Sequence, residues 1–345
     1  ISGSYQPSDK TNLDFEFAAS KKDLNLFSNI SDSDNDGLAF RYKFNRKALK
    51  PFNKWNLNLS SDLDYIQSNF RNIERLYNPE FNRDWNIDIT TLNGAVTEMG
   101  SQVLSTNAFN LINSNLVEIN YSFQYLKFDD NFNGNRHNLA STFRRNNLEF
   151  ISNSNILTSS SNQKESDFFR SSSQIKLHGK KFWPGIKIST ENNEVILRNT
   201  NELDSLLSQR FVSYEGYVGI GDSTSVFLKL GYINRVNDSV VDNKLKRVNS
   251  SKNYYLNSKL IKSKSSDLSL FINYRLFNLQ KDEGSLQKSL NSRVFYSQRF
   301  AENLIQWQTV YETNSGQLPQ QDFTYVQVEP GQGTFVWFDY NDNGI

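Results

Sequence analysis

Cysteine is absent from the 345 residues, so the chain holds no disulfide, no thiolate metal site and no cysteine nucleophile. Histidine is almost absent. His137 and His178 are far apart, neither has a Glu at metalloprotease spacing, and no HExxH occurs, which excludes the common zinc-hydrolase pattern. Neither sign of charge is in excess: 38 Lys+Arg stand against 37 Asp+Glu, and the broad basic field that nucleic-acid binding requires is missing. No apolar run approaches the ~20 residues of a membrane-spanning helix. A mean hydropathy of -0.63 still suits a transmembrane barrel, whose strands are oily on one face only.

What is present favours strands. Phe (26) and Tyr (16) are plentiful, Asn and Ser are abundant and Ala is scarce, a composition of strands joined by polar turns. Alternation with period two recurs along the chain. From Leu116 to Phe128, the residues Val117, Ile119, Tyr121, Phe123 and Tyr125 alternate with Glu118, Asn120, Ser122 and Gln124, giving one oily and one wet face. The same rhythm marks LDFEFAAS from Leu13, DLNLFSNI after it, Leu38 to Phe44, and Trp55 to Ile66. It continues through HNLASTFRR, NNLEFISNSNILT, SVFLKLGYINRV, NYYLNSKLIKS, SDLSLFINYRLF, SLNSRVFYSQRF and NLIQWQTVYE. Turns are expected at Asp36-Gly37, over Asp129–Asn135, at Ser159–Gln163, at Pro184-Gly185 and at Gly219–Gly221. Two stretches break the pattern. Residues 69–85, dense in charge and containing Pro79, read as an ordered charged loop. Residues 201–208 read as a short helix, with Asn201 as cap, Asp204 in the first turn, and Leu203, Leu206 and Leu207 on one face. The expected fold is all-β: an antiparallel up-and-down meander of long hairpins spanning 1–345 as a single region. It is outer-membrane-barrel-like, with an open or packed soluble sheet scaffold as the alternative.

Several loop segments carry a resemblance. Asn69–Arg75 (NFRNIER), Glu80–Trp85 (EFNRDW), Gly134–His137 (GNRH) and Val328–Asn341 (VEPGQGTFVWFDYN) resemble those of a family of large β-rich proteins of Bacteroidota associated with the outer membrane. The resemblance covers most of the chain and attaches no activity to these motifs. It implies an outer-membrane location, a chain that is a fragment of a longer one, and a DYN segment running on into an acidic Glu-Phe-Glu stretch beyond Ile345.

Three segments match D-x-[DN]-x-[DN]-G, the start of a calcium loop: Asp32/Asp34/Asp36/Gly37, Asp129/Asn131/Asn133/Gly134 and Asp339/Asn341/Asn343/Gly344. Calcium takes six to eight hard oxygens and such a loop supplies three. Loop position twelve, where an EF-hand places Glu, is Lys43 in the first and Ala140 in the second, and Asp/Asn-Gly is also ordinary hairpin chemistry. Asp339, Asn341 and Asn343 are therefore the candidate metal ligands, an incomplete calcium loop, and no other cofactor is indicated. The carboxylates Glu74 and Glu80 sit among Arg71, Arg75 and Arg83, which suits salt bridging better than acid–base work. Trp307 and Trp337, with Tyr311, Tyr325 and Tyr340, are candidates for a sugar-stacking platform or a membrane-interface belt, beside plain cross-strand packing. No catalytic constellation assembles. The expected role is non-enzymatic: a structural or transport component of a bacterial outer membrane, acting through a lumen or surface, with lipid, envelope proteins or glycan as partners. A soluble periplasmic or cell-surface scaffold binding a protein or glycan is the alternative.

Overall fold

The computed structural model describes residues 1–22, 35–51, 53–73, 77, 81–87, 100–114, 116–179, 181–280 and 286–315. Of these described residues 77 % are strand and 2 % helix, so the fold is all-β as expected. The first strands are β1 (Ser2–Ser8), β2 (Thr11–Lys21), β3 (Asp36–Leu49), β4 (Asn56–Ile66), β5 (Gln102–Asn113), β6 (Val117–Phe128), β7 (Phe132–Arg145), β8 (Leu148–Ser161) and β9 (Lys164–Leu177). They are followed by β10 (Phe182–Leu197), β11 (Glu202–Leu203), β12 (Gln209–Gly221), β13 (Phe227–Val241), β14 (Lys244–Lys262), β15 (Ser266–Leu279), β16 (Gln287–Phe300) and β17 (Ile305–Ser315). One helical turn, α1 (Phe81–Asp84), lies between β4 and β5.

All 17 strands belong to one sheet, and each pairs antiparallel with its successor. The exception is β11, which folds back on the end of β10 while β10 continues to β12. From β12 the meander runs without interruption to β17. Among the described residues β1 pairs only with β2 and β17 only with β16, so the sheet is not closed. Tight turns set the register: Asp242 and Asn243 both take positive φ (52° and 55°), the two-residue geometry whose twist matches the flanking strands.

The two ends of the sheet differ. At one end the turns β1–β2, β3–β4, β5–β6, β7–β8, β9–β10, β12–β13, β14–β15 and β16–β17 never exceed six residues. At the other, the connections include the long stretches 22–35, 67–101 and 198–208.

Several local expectations are corrected. Asp36-Gly37 is not the β2–β3 turn; it begins β3 and pairs with Lys21 and Ser20. Gly37 is there because the backbone of Asn69 and Phe70 packs onto it, leaving no room for a Cβ. Pro184-Gly185 is likewise inside β10, opposite Val218 and Tyr217. Pairing with β9 begins only at Gly185, so Pro184 costs no ladder bond on that side. The turn over 129–135 is shorter, since Asn133, Gly134 and Asn135 are already in β7. Of the Gly219–Gly221 pair only Gly221, at φ 85°, turns the chain. No helix forms over 201–208. Asn201 takes positive φ (56°), β11 follows, and the Asp204 carboxylate accepts the N–H groups of Leu206 and Leu207 (2.9 and 3.2 Å). Local side-chain capping of this kind competes with helix. The DLNLFSNI stretch lies outside the described residues.

Candidate functional site

Following the cross-strand partners of Glu118 through every register defines one continuous wet face. It runs from Asp14 and Glu16 in β2, through Arg41, Asp64, Thr106 and Gln124, to Arg170, Glu191, Glu215 and Arg293 in β16. Its polar groups are paired across strands. Asn58 Nδ2 donates to Asn110 Oδ1 (2.9 Å) and Asn110 in turn to Asn120. Asn138 Nδ2 donates to Ser122 Oγ (3.1 Å), and Asn155 to Asn138. Ion pairs join Arg41 to Asp64, Arg170 to Glu191 (2.8 Å), Lys229 to Glu215 (3.3 Å) and Lys259 to Asp267 (2.7 Å). A cavity of about 600 Å³ opens on this face, with Asn45, Asn58, Asn110, Asn120, Asn138 and Asn153 in its lining.

The opposite face is oily and uncovered. In β10, Ile186 is 62 % and Ile188 45 % exposed; Phe15, Phe17, Tyr214, Ile175, Leu230 and Trp307 are exposed on the same side. This apolar band hugs the short-turn end. In β6 it covers Val117 to Tyr125 and gives way to Lys127, and in β10 it covers Phe182 to Ile188 and gives way to Thr190, Asn192 and Glu194. Near the long-loop end the outward residues become charged, as in the Arg210–Asp238 pair (2.6 Å).

Among the described residues nine hydrophobic ones are buried: Trp85, Ile87, Leu126, Phe128, Phe132, Leu157, Trp183, Val195 and Tyr217. Apart from Trp85 and Ile87, all lie on the wet face. Four of them, Leu126, Phe128, Phe132 and Leu157, are covered by a plug. Tyr77 stacks on Phe81 (4.1 Å, 13°), Phe81 leans on Trp85, and Trp85 and Ile87 pack against Leu126, Phe128, Phe132 and Leu157 at the long-loop end. Asn86 Nδ2 reaches Ser166 Oγ (3.2 Å) and Asn193 Oδ1 (3.0 Å). Gln102 donates to the Tyr77 hydroxyl (2.5 Å), and the Arg136 guanidinium lies 5.5 Å over the Trp85 ring. Burial, aided by the Asp64 carboxylate, pushes the Tyr77 phenol well above its ordinary value. Residues 77 and 81–87 thus touch β5 through β10, six neighbouring strands.

On the wet face near the short-turn end, aromatic rings lie over glycines of the neighbouring strand: Tyr217 over Gly185, Trp183 over Gly219 and Tyr255 over Gly231. Lys229 Nζ sits 3.9 Å over the Tyr217 ring and 5.1 Å over Tyr255, while Gln174 donates to the Tyr217 hydroxyl (2.5 Å). With glycine backbone beneath and a lysine above, these rings lock adjacent strands together.

Those residues singled out from sequence that are described do not form one site. Asp339, Asn341, Asn343 and Gly344, with Trp337, Tyr325 and Tyr340, lie outside the described residues, as do Asp32, Asp34, Glu74 and Glu80. Asp129 caps a turn, its Oδ2 accepting from Ser101 N (2.8 Å), and among the described residues no group of three metal-ligating side chains converges. His137 Nδ1 meets the Tyr121 hydroxyl (2.8 Å) on the oily face; His178 Nε2 meets Glu149 Oε2 (3.1 Å) at the short-turn end. Trp307 and Tyr311 both point outward from β17. The plug was missed because charge hid its signal: Tyr77, Phe81 and Trp85 recur every four residues, the spacing of a helix face. No protein-family model matches the chain, and no curated protein matches it.

Proposed function

We propose that this sheet is the wall of a β-barrel in a bacterial outer membrane, a non-enzymatic structural or transport component. Its oily face meets lipid, and its wet face bounds a lumen partly filled by the 77–87 plug. The observation that carries this reading is the inversion of the usual arrangement: large apolar side chains stand exposed on one face, while ion pairs, amide ladders and the small core lie on the other. Water penalises such an exposed face, and lipid does not. The dimensions agree. A crossing strand needs about 9–11 residues, which the band from Val117 to Tyr125 supplies. Strands of up to 19 residues exceed that need and carry their surplus, with the long connections, to one side, the asymmetry of outer-membrane barrels.

The test uses protein folded into detergent micelles. Unboiled protein should migrate differently from boiled protein on a gel. In single-Trp variants a brominated detergent should quench Trp307 strongly and leave Trp85 and Trp183 emitting. A folded protein that stays in solution without detergent, with equal quenching of all three, would replace the membrane wall with a soluble scaffold.

A further inference from the structure

The charges of the wet face are segregated around the sheet. On β2–β4, Asp14, Glu16, Asp62 and Asp64 stand in the cross-strand rows Glu16/Arg41/Asp64 and Asp14/Lys43/Asp62, two carboxylates to one cation in each row. From β7 onward the excess is of the opposite sign. Carboxylates there are matched, Glu191 by Arg170, Glu215 by Lys229, Asp267 by Lys259 and Glu312 by Arg293. Arg136, Lys187, Arg235 and Arg275 remain with no carboxylate at ion-pair distance among the described residues. Lys187 stands opposite Glu215, whose carboxylate is held by Lys229, whereas the register partners of Arg235 and Arg275 are neutral: Ser213 and Ser251 for the first, Asn253 and Ser289 for the second. The Arg235 Nε donates to Asn237 Oδ1 (2.8 Å) and its guanidinium lies 3.8 Å over the Phe211 ring; Arg275 lies 4.7 Å over Phe277; Arg136 has a buried Nε with no hydrogen-bond partner.

From this segregation we infer that the wet face favours small anionic solutes, bearing chloride, carboxylate or phosphate charge, over cations. The inference rests on the barrel reading, in which β2–β4 stand across the lumen from β10–β14. Unmatched cations then face an acidic strip, and their surplus gives the lumen a positive potential that low-dielectric walls focus. Guanidinium groups over aromatic rings keep their outer N–H donors free for an anion, and they bind carboxylate and phosphate in a planar, two-point geometry. The solute these groups recognise is set by charge and not by shape, since they are spread over several strands.

The experiment uses the full chain folded in micelles, shown to be heat-modifiable, and then inserted into planar bilayers under a KCl gradient. The zero-current potential should show chloride permeating severalfold better than potassium. The variant K187Q/R235Q/R275Q should bring that ratio down toward unity, with R235Q or R275Q alone giving a smaller step. K252Q, on the oily face, should leave it unchanged. A cation preference, a lack of preference, a ratio unmoved by the triple variant, or silence from folded heat-modifiable protein would each overturn the inference while leaving the membrane wall standing. Protein that never becomes heat-modifiable would instead remove the wall reading, and the inference with it.

Discussion

Gly185 and Gly216 lie on neighbouring strands but on opposite faces of the sheet, and substituting each with Ala separates the roles of the two faces. Gly185 sits on the wet face, where a Cβ would overlap the ring and hydroxyl of Tyr217; Gly216, on the oily face, would place its Cβ with nothing within 4 Å. In Gly185→Ala the Tyr217 ring must leave its seat. Overpacking costs about 1–3 kcal/mol, the hydrogen bond from Gln174 about 1 kcal/mol, and the Lys229 contact over the ring about 0.5–1 kcal/mol. The expected loss is about 2.5–5 kcal/mol, read as a lower urea midpoint for unfolding from micelles. Gly216→Ala meets no obstacle and restricts the unfolded chain, so it should be neutral or stabilising by up to about 1 kcal/mol. In a Tyr217→Ala background the cost of Gly185→Ala should vanish, so that the coupling between the two positions equals the whole of that loss. Equal effects of the two glycine substitutions, or a Gly185→Ala cost that persists without the Tyr217 ring, would refute the ring-over-glycine joint.

The plug and the connections give further expectations. Trp85→Ala removes a side chain only 2 % exposed that packs on Leu126, Phe128, Phe132 and Leu157, and should cost about 3–5 kcal/mol by urea titration; a loss under about 1 kcal/mol would mean the plug is not seated. Asn86→Ala removes its bonds to Ser166 and Asn193 and should speed amide exchange at Ile87 by severalfold; unchanged exchange would show that Asn86 does not tether the plug. Burial alone would raise the Asp204 carboxyl, but the Lys164 ammonium at 3.0 Å and the N–H groups of Leu206 and Leu207 hold it below the ordinary range. Its contribution to stability is therefore complete above about pH 4 and lost as pH falls through the lowered folded value. The stability gap between the native protein and Asp204→Asn should shrink in acid, and a gap independent of pH would deny the pairing.

The strands were legible because alternation is a local signal. Val117, Ile119, Tyr121, Phe123 and Tyr125 announce their own face without reference to any partner, and the registers confirm each position. Errors came where a residue's role depends on what lies above it. Asp36-Gly37 and Pro184-Gly185 look like turns because Gly most often supplies positive φ. Both glycines instead accommodate a close neighbour, the Phe70 backbone in one case and the Tyr217 ring in the other. That neighbour is distant in sequence, so the local pattern carries no trace of it.

The same reasoning explains why the core was hidden. Leu126 and Phe128 occupy positions that in the rest of β6 hold Glu118, Asn120, Ser122 and Gln124, so by period alone they are apolar residues on the wet side. Leu157 repeats the anomaly in β8 after Asn153 and Asn155. Together they trace an oily strip across the long-loop end of an otherwise polar face. Such a strip would be costly against open water, and a covering segment is the physical answer. The stretch around Phe81 and Trp85 supplies one from the connection between β4 and β5. The departures from strict alternation were therefore the strongest pointer to the plug, more than any feature of the plug's own charged sequence.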